Sequence, residues 1–179
     1  MTTENNTTTK HGQPALYVGT YEKYNNGSIK GAWLQLEDYS DKEDFLEACR
    51  ELHKDEHDPE LMFQGYKGFP EALYSECGID NKIFDWIKLD DYEKDIVQLY
   101  LDYIDGSADF DTAIEAYAGN TNTEIEWVEE FVENTGLLAE VPENLKYYFN
   151  YKSYLRDLKY GGDVYFAHDD KGVTAFWSV

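Results

Sequence analysis

The sequence predicts an α+β fold on three observations. Strand-like stretches cluster at the two ends of the chain, and the hydrophobic period turns helical from about residue 79 to 136. The composition, 42% hydrophobic and 16% aromatic, is that of a chain that folds. Its 179 residues suffice for one full core or for two to three small modules. Sixteen tyrosines suit thin modules, because a tyrosine buries its ring while its hydroxyl stays at a wet edge.

"ALYVGTY" (15–21) reads as a strand, "NNG" (25–27) as a turn and "AWLQLE" (32–37) as a second strand. Ser40 and Glu43 fit a capping box, and Phe45, Leu46, Cys49 and Leu52 repeat at helical spacing, so 41–53 is expected to be a helix. "LMFQGYK" (61–67) reads as a third strand beside the first two. Helices are then expected over 80–89, 91–105, 109–118 and 124–135, with Gly106, Gly119 and Gly136 at stop positions and Thr123 with Glu126 as a second capping box. Pro142 fits the first turn of a short helix, and 151–162 a longer one with a glycine stop. The stretches 163–169 and 173–179, joined at "DDKG", read as a terminal hairpin.

Charge is the strongest compositional signal. Fifteen basic against 37 acidic residues give a net charge of −22 and a pI near 4.3. Such a field repels nucleic acid and anionic membranes, favours basic partners or cations, and works against the compact state by self-repulsion. Cys49 and Cys77 are too few for a disulfide scaffold and read as two buried thiols in a reducing cytosol. The start, "MTTENNTTTKHGQP", has neither a basic n-region nor an apolar run, so a cytoplasmic protein with a floppy polar tail is expected.

The acids are concentrated. Residues 80–143 hold 18 carboxylates against Lys82, Lys88 and Lys94. At about 100° per residue, Asp91, Asp95, Asp102 and Asp105 fall within an arc of about 80°, opposite Ile96, Val97, Tyr100, Tyr103 and Ile104. In "TEIEWVEEFVENTG" (123–136), Glu126, Glu129, Glu130 and Glu133 crowd an arc of about 100°, opposite Ile125, Trp127, Val128, Phe131 and Val132. Like charges at i,i+4, such as Glu126 with Glu130, each destabilise a helix by roughly 0.2–0.5 kcal/mol. A purely structural helix would reverse that sign with lysine. The net charge of 80–143 equals that on about 25 Å of duplex DNA, at one charge per roughly 1.7 Å of axis. Carboxylates on rigid helices can therefore reproduce the field that a DNA-binding channel expects.

Other chemistries fit less well. His53 and His57 form H-x-x-x-H, but Lys54 stands where the zinc-protease pattern needs glutamate, and an exposed polar helix end is the simpler reading. "DYIDGSADFD" (102–111) lacks the order of a calcium loop and its closing glutamate. A carbohydrate module or glycosidase would need a carboxyl group whose pKa is raised by burial, whereas these acids lie on solvent-facing ridges. No nucleophile constellation or phosphate loop is present, so no enzyme, cofactor or metal is expected. An acidic inhibitor of some other DNA-binding protein, or an acidic cation- or carbohydrate-binding module, is the alternative.

Several segments resemble a known family. "LYVGTYEKYNNGSIKGAWLQLE" (16–37), "FQGYKGFP" (63–70) and "FVENTGLLAEVPENLKYYFNYKSYLRDLKYGGDVYFAHDDKGVTAFW" (131–177) are similar to the ArdA antirestriction proteins. The resemblance implies a protein of bacterial mobile genetic elements, such as conjugative transposons, that forms an elongated, curved chain of three modules and a homodimer shaped like bent DNA. It implies binding at the DNA groove of the methyltransferase core of type I restriction-modification enzymes, without catalysis. The family's antirestriction motif maps onto "EWVEEFVENTGLLAE" (126–140), which makes Leu137, Leu138 and Glu140 candidate dimer-interface residues.

The expected organisation is thus a tail (1–14), an N-terminal module with an antiparallel sheet and helix (15–70), an acidic helical module (71–120) and a C-terminal module of helices with a β-hairpin (121–179). The expected DNA-mimic carboxylates are Asp91, Asp95, Asp102, Asp105, Asp109, Asp111, Glu115, Glu126, Glu129, Glu130 and Glu133.

Overall fold

A computed structural model describes residues 11–179. The described residues form eight α-helices and two three-stranded antiparallel sheets, an α+β architecture. The chain divides into two compact units, Met1–Asp95 and Ile96–Val179. Most of the expected polar tail lies outside the described residues; within residues 11–14, Pro14 is buried and its carbonyl accepts from Leu36 N at 2.8 Å.

In the first unit, β1 (Ala15–Thr20) is flanked by β2 (Ala32–Gln35) and β3 (Leu61–Lys67), in the order β2-β1-β3. Tyr17 stands opposite both Trp33 and Gly65, and the register then slips so that Val18 faces Phe63, which leaves Gln64 as an extra, bulged residue. Trp33 covers the bare backbone of Gly65, where an added Cβ would come within 3.4 Å of the indole. The helix α1 (Tyr21–Asn25), which has no sequence period, starts on Thr20, whose hydroxyl accepts from Lys23 N. The helix α2 (Lys42–Leu52) buries Phe45 and Cys49, and Phe45 packs against Phe63 and Phe84. Its cap is one residue later than expected. Asp41 accepts from Asp44 N, and Asp44 takes the N–H of Ser40, because aspartate caps as well as serine and the next box fits the turn.

The helix α3 (Lys82–Lys88) contributes Trp86, fully buried, whose indole N–H donates to Gly68 O at 2.9 Å. Gly68 has φ +78°, and a Cβ there would meet the backbone of Gln13 and Pro14 at 2.6 Å, so only glycine lets the strand end turn under residues 13 and 14. The helix α4 (Asp91–Tyr103) begins with Asp90 and Glu93 capping each other's backbone N–H.

In the second unit the sheet order is β4-β6-β5, with β4 Tyr117–Thr121, β5 Val164–Asp169 and β6 Gly172–Trp177. β4 falls where the end of a helix is expected: α5 (Phe110–Ala116) stops early, and Gly119, at φ +121°, lies in the strand rather than ending a helix. The helix α6 (Glu124–Thr135) opens on Thr123, which accepts from Glu126 N, and closes on Gly136 in the left-handed region at φ +65°. α7 (Glu143–Lys146) and α8 (Tyr151–Gly161) follow, the latter closing on Gly162 at φ +74°. Trp127, Val128, Val164 and Ala175 form the core between helices and sheet, joined by Phe131, Leu155, Phe166 and Trp177. Trp127 stacks on Phe131 and donates its indole N–H to Ala118 O at 2.9 Å, which pins α6 to β4.

Candidate functional site

The acidic residues divide into those that the fold uses and those that it leaves to solvent. On α6, Trp127, Val128 and Val132 are buried while Glu129, Glu130 and Glu133 are exposed, as helical spacing requires. None of the three forms an ion pair or a side-chain hydrogen bond among the described residues. Glu126 is half-buried and serves the fold as well: its carboxylate accepts from Asn122 N at 3.0 Å, beside the Thr123 cap. From Glu126 to Glu133 the helix rises about 10 Å at 1.5 Å per residue, so its four charges follow at axial steps of about 4.5, 1.5 and 4.5 Å, an average density close to the one phosphate per 3.4 Å of a DNA strand.

On α5, Phe110, Ala113 and Ala116 face inward, and Asp111 and Glu115 lie exposed one turn apart. Asp109 stands exposed at the N-cap position without a side-chain cap bond. The α4 row is less uniform than its spacing suggests. Asp91 and Asp102 are exposed, and Asp102 accepts from Gln98 at 2.9 Å. Asp95 is drawn inward by His11, whose Nε2 lies 2.9 Å away. Asp105 lies beyond the helix, which ends at Tyr103, and its carboxylate accepts both the N–H and the hydroxyl of Ser107. Its charge, after burial, pushes the Tyr100 phenol upward in pKa.

Several cations are engaged with other acids. Lys54 pairs with Glu51, Lys88 with Asp85, Lys146 with Glu143, Arg156 with Asp157, and Lys159 with Glu124, which His168 also reaches at 3.0 Å. Each of these acids lies outside the expected mimic set.

The densest polar cluster is one that the sequence hid. His53 is 1% exposed rather than a solvated helix end, because the turn after α2 folds it under β1, where its Nε2 lies 3.3 Å from Val18 O. Lys23 Nζ stands 2.9 Å from His53 Nδ1, 2.9 Å from Asp55 and 2.7 Å from Glu56, and Thr20 donates to Glu56 at 2.7 Å. Ammonium has only protons to offer, so His53 accepts at Nδ1 and carries its proton on Nε2. Asp55 is held down to about 2 by the hydrogen bond from Lys23. Burial would lower the Lys23 pKa, but hydrogen bonds to Glu56 and Asp55 outweigh it and raise it. The ligand atoms of His53, Asp55 and Glu56 lie within 4.8 Å of one another, close enough to hold a cation, and that place is taken by Lys23. His57 is exposed and does not converge with His53.

The candidate interface residues follow α6. Leu137 is 48% exposed, Glu140 is exposed, and Leu138 is half-buried beside a hollow of about 410 Å³ that Glu129, Glu133, Lys146 and Tyr151 also line. Leu145, Tyr147 and Tyr148 extend this exposed apolar run and were not expected, because an aromatic pair after a four-residue helix has no period to reveal its face. The thiols differ from expectation too. Cys49 is buried and pushed up to about 12 by desolvation, but Cys77 is exposed, since it lies in the loop that follows Tyr74. Among the described residues, no helix is long and apolar enough to cross a membrane.

No curated protein matches the chain. A family model described as "Antirestriction protein (ArdA)" matches residues 16–172, which takes in every strand of the first sheet but for Ala15, all eight helices, β4 and β5, and ends at the first residue of β6. The chain belongs to the ArdA family of antirestriction proteins.

Proposed function

We propose that this antirestriction protein acts as a DNA mimic: its solvent-facing carboxylates occupy the DNA groove of the methyltransferase core of a type I restriction-modification enzyme and exclude DNA, without catalysis. The observation that carries the reading is the division of labour among charges. Glu129, Glu130 and Glu133, with Asp91, Asp111 and Glu115, face solvent with no cation partner among the described residues, while Lys23, Lys30, Lys54, Lys88, Lys146, Arg156 and Lys159 pair with other acids. Ridges with no internal use are available for a basic groove, and the average charge density along α6 is close to that along one DNA strand.

The partner is a homodimer's target. Two copies join through the exposed run after α6, with Leu137, Leu138 and Glu140 at the contact and Tyr147 and Tyr148 beside it. A Leu137→Glu substitution is then expected to shift the protein from dimer to monomer by light scattering. The protein works in the cytoplasm, where such enzymes meet incoming DNA.

Competition tests the function. The protein is titrated against labelled duplex bound to a type I methyltransferase core. Displacement at micromolar concentration, weakening as salt rises, is the expected result. Absence of displacement removes the reading, and displacement only from a different DNA-binding protein transfers the mimicry to that target.

A further inference from the structure

The open face of the N-terminal sheet carries aromatic chemistry that the acidic ridges do not explain. A groove of about 590 Å³ is lined by Tyr17, Tyr24 and Tyr74, with Ile29 at its rim and Glu76 as the charged lining residue. Ile29 is 79% exposed and Tyr24 53%, so the groove opens to solvent. The hydroxyls of Tyr17 and Tyr74 are already committed, donating to Ile29 O at 2.8 Å and Phe63 O at 2.5 Å. What these two residues present is therefore ring area rather than hydroxyl. Tyr74 is further fixed by stacking on Tyr66 at 4.5 Å.

The electrostatics of the groove favour a cation. Glu76 has no ion pair and no side-chain hydrogen bond among the described residues, and the neighbouring Lys23 and Lys30 are held by Asp55 and Glu56. Burial and then Glu76, with Glu60 further down the order, push the Tyr21 phenol upward in pKa, which reports a negative field beside the rings. The same sheet face already satisfies one ring in this way. Tyr17 meets Trp33 edge-on at 5.6 Å, and Lys67 Nζ lies 5.0 Å from the centre of the Trp33 ring.

We propose that this groove accepts an arginine side chain from the basic DNA groove of the inhibited enzyme, stacked against Tyr17, Tyr24 and Tyr74 and paired with Glu76. Guanidinium suits it better than ammonium, because it is planar, stacks on aromatic faces and sheds water more readily. The anchor adds a short-range, salt-tolerant contact to the screened field of the ridges. It rests on the proposed function for the source of the arginine, and not for the chemistry of the groove.

Nα-acetyl-arginine amide titrated into the isotope-labelled full-length protein tests the groove by nuclear magnetic resonance, with the citrulline and lysine analogues as controls. The expected result is millimolar binding with shifts confined to Tyr17, Tyr24, Tyr74 and Glu76, weaker for lysine and absent for neutral citrulline. Tyr24→Leu, on an exposed side chain that the core does not use, should weaken it by about two- to fivefold, and Glu76→Gln by a similar factor. Equal binding of citrulline, or shifts elsewhere, overturns the groove; equal binding of lysine overturns the choice of arginine. The DNA competition assay reads the partner separately. A Tyr24→Leu protein that loses the probe yet inhibits like the parent overturns the enzyme as the source, whereas a parent that displaces no DNA fails the functional reading and leaves the probe result intact.

Discussion

Asp55 and Glu56 in the N-terminal unit, and Glu129, Glu130 and Glu133 in the C-terminal unit, are the same functional group in opposite circumstances. The first pair converges on Lys23, and Glu56 is only 9% exposed in its side chain. The second group stands in water on one side of α6 with its hydrocarbon neighbours turned inward. Desolvation makes the difference. A carboxylate taken out of water must find a counter-ion and donors, and then holds chain segments together, whereas one left in water costs the fold little and stays free to act on something else. In this protein Asp55 and Glu56 are folding charges and Glu129, Glu130 and Glu133 candidate binding charges, while Glu126, Asp95 and Asp105 stand between the two groups.

The comparison can be broken most sharply at Lys23. Lys23→Met leaves His53 without its donor at Nδ1 and Glu56 without its counter-ion, and should cost about 3 kcal/mol of stability, read as a lower urea midpoint. A loss under about 1 kcal/mol would mean that the cluster is no firmer than a surface pair. Next in size is the reverse experiment. Lysine at 126, 129, 130 and 133 should lower inhibition about a hundredfold, at roughly 0.7 kcal/mol for each exposed contact, while circular dichroism shows α6 still formed. Unchanged potency places the binding surface elsewhere.

How much of this was legible in the sequence follows from the range of the forces involved. α2, α4, α6 and α8 announce themselves because their apolar period and their caps are local. The exposed side of α6 was readable for the same reason. β4 was not, since "YAGNT" sets alanine, glycine and asparagine between its two strand formers, and becomes a strand only by pairing with β6 more than fifty residues later. α1 is a single turn and a half set by its Thr20 cap. His53 meets β1 and a lysine thirty residues upstream, and Asp95 meets His11, contacts that no local pattern encodes.

A smaller effect sharpens the contrast from the other side. Glu129→Gln with Glu133→Gln should raise stability by about 0.2–0.5 kcal/mol through relief of an i,i+4 repulsion, even as inhibition falls. Stability and activity moving in opposite directions is the signature expected of a surface that exists for a partner. Smallest is the acid response of Asp55. Its folded pKa of about 2 lies below its ordinary value, so its contribution is present above about 3.9 and is lost as pH falls through 2. Acid titration of the parent against Asp55→Asn should show the two curves converging in that window, and parallel curves would remove the Lys23 contact as the cause.

The acids on the exposed flank of α6 form no ion pair or side-chain hydrogen bond among the described residues, and this gives the flank an unusual freedom to evolve. A position bound to a partner within the fold can change only when that partner changes with it. Glu129, Glu130 and Glu133 carry no such obligation, so aspartate and glutamate can trade places there, and a lost acid can be restored a turn away, without a second mutation in the core. A lineage pressed by new host enzymes could therefore retune this flank step by step while Trp127 and its neighbours stay unaltered.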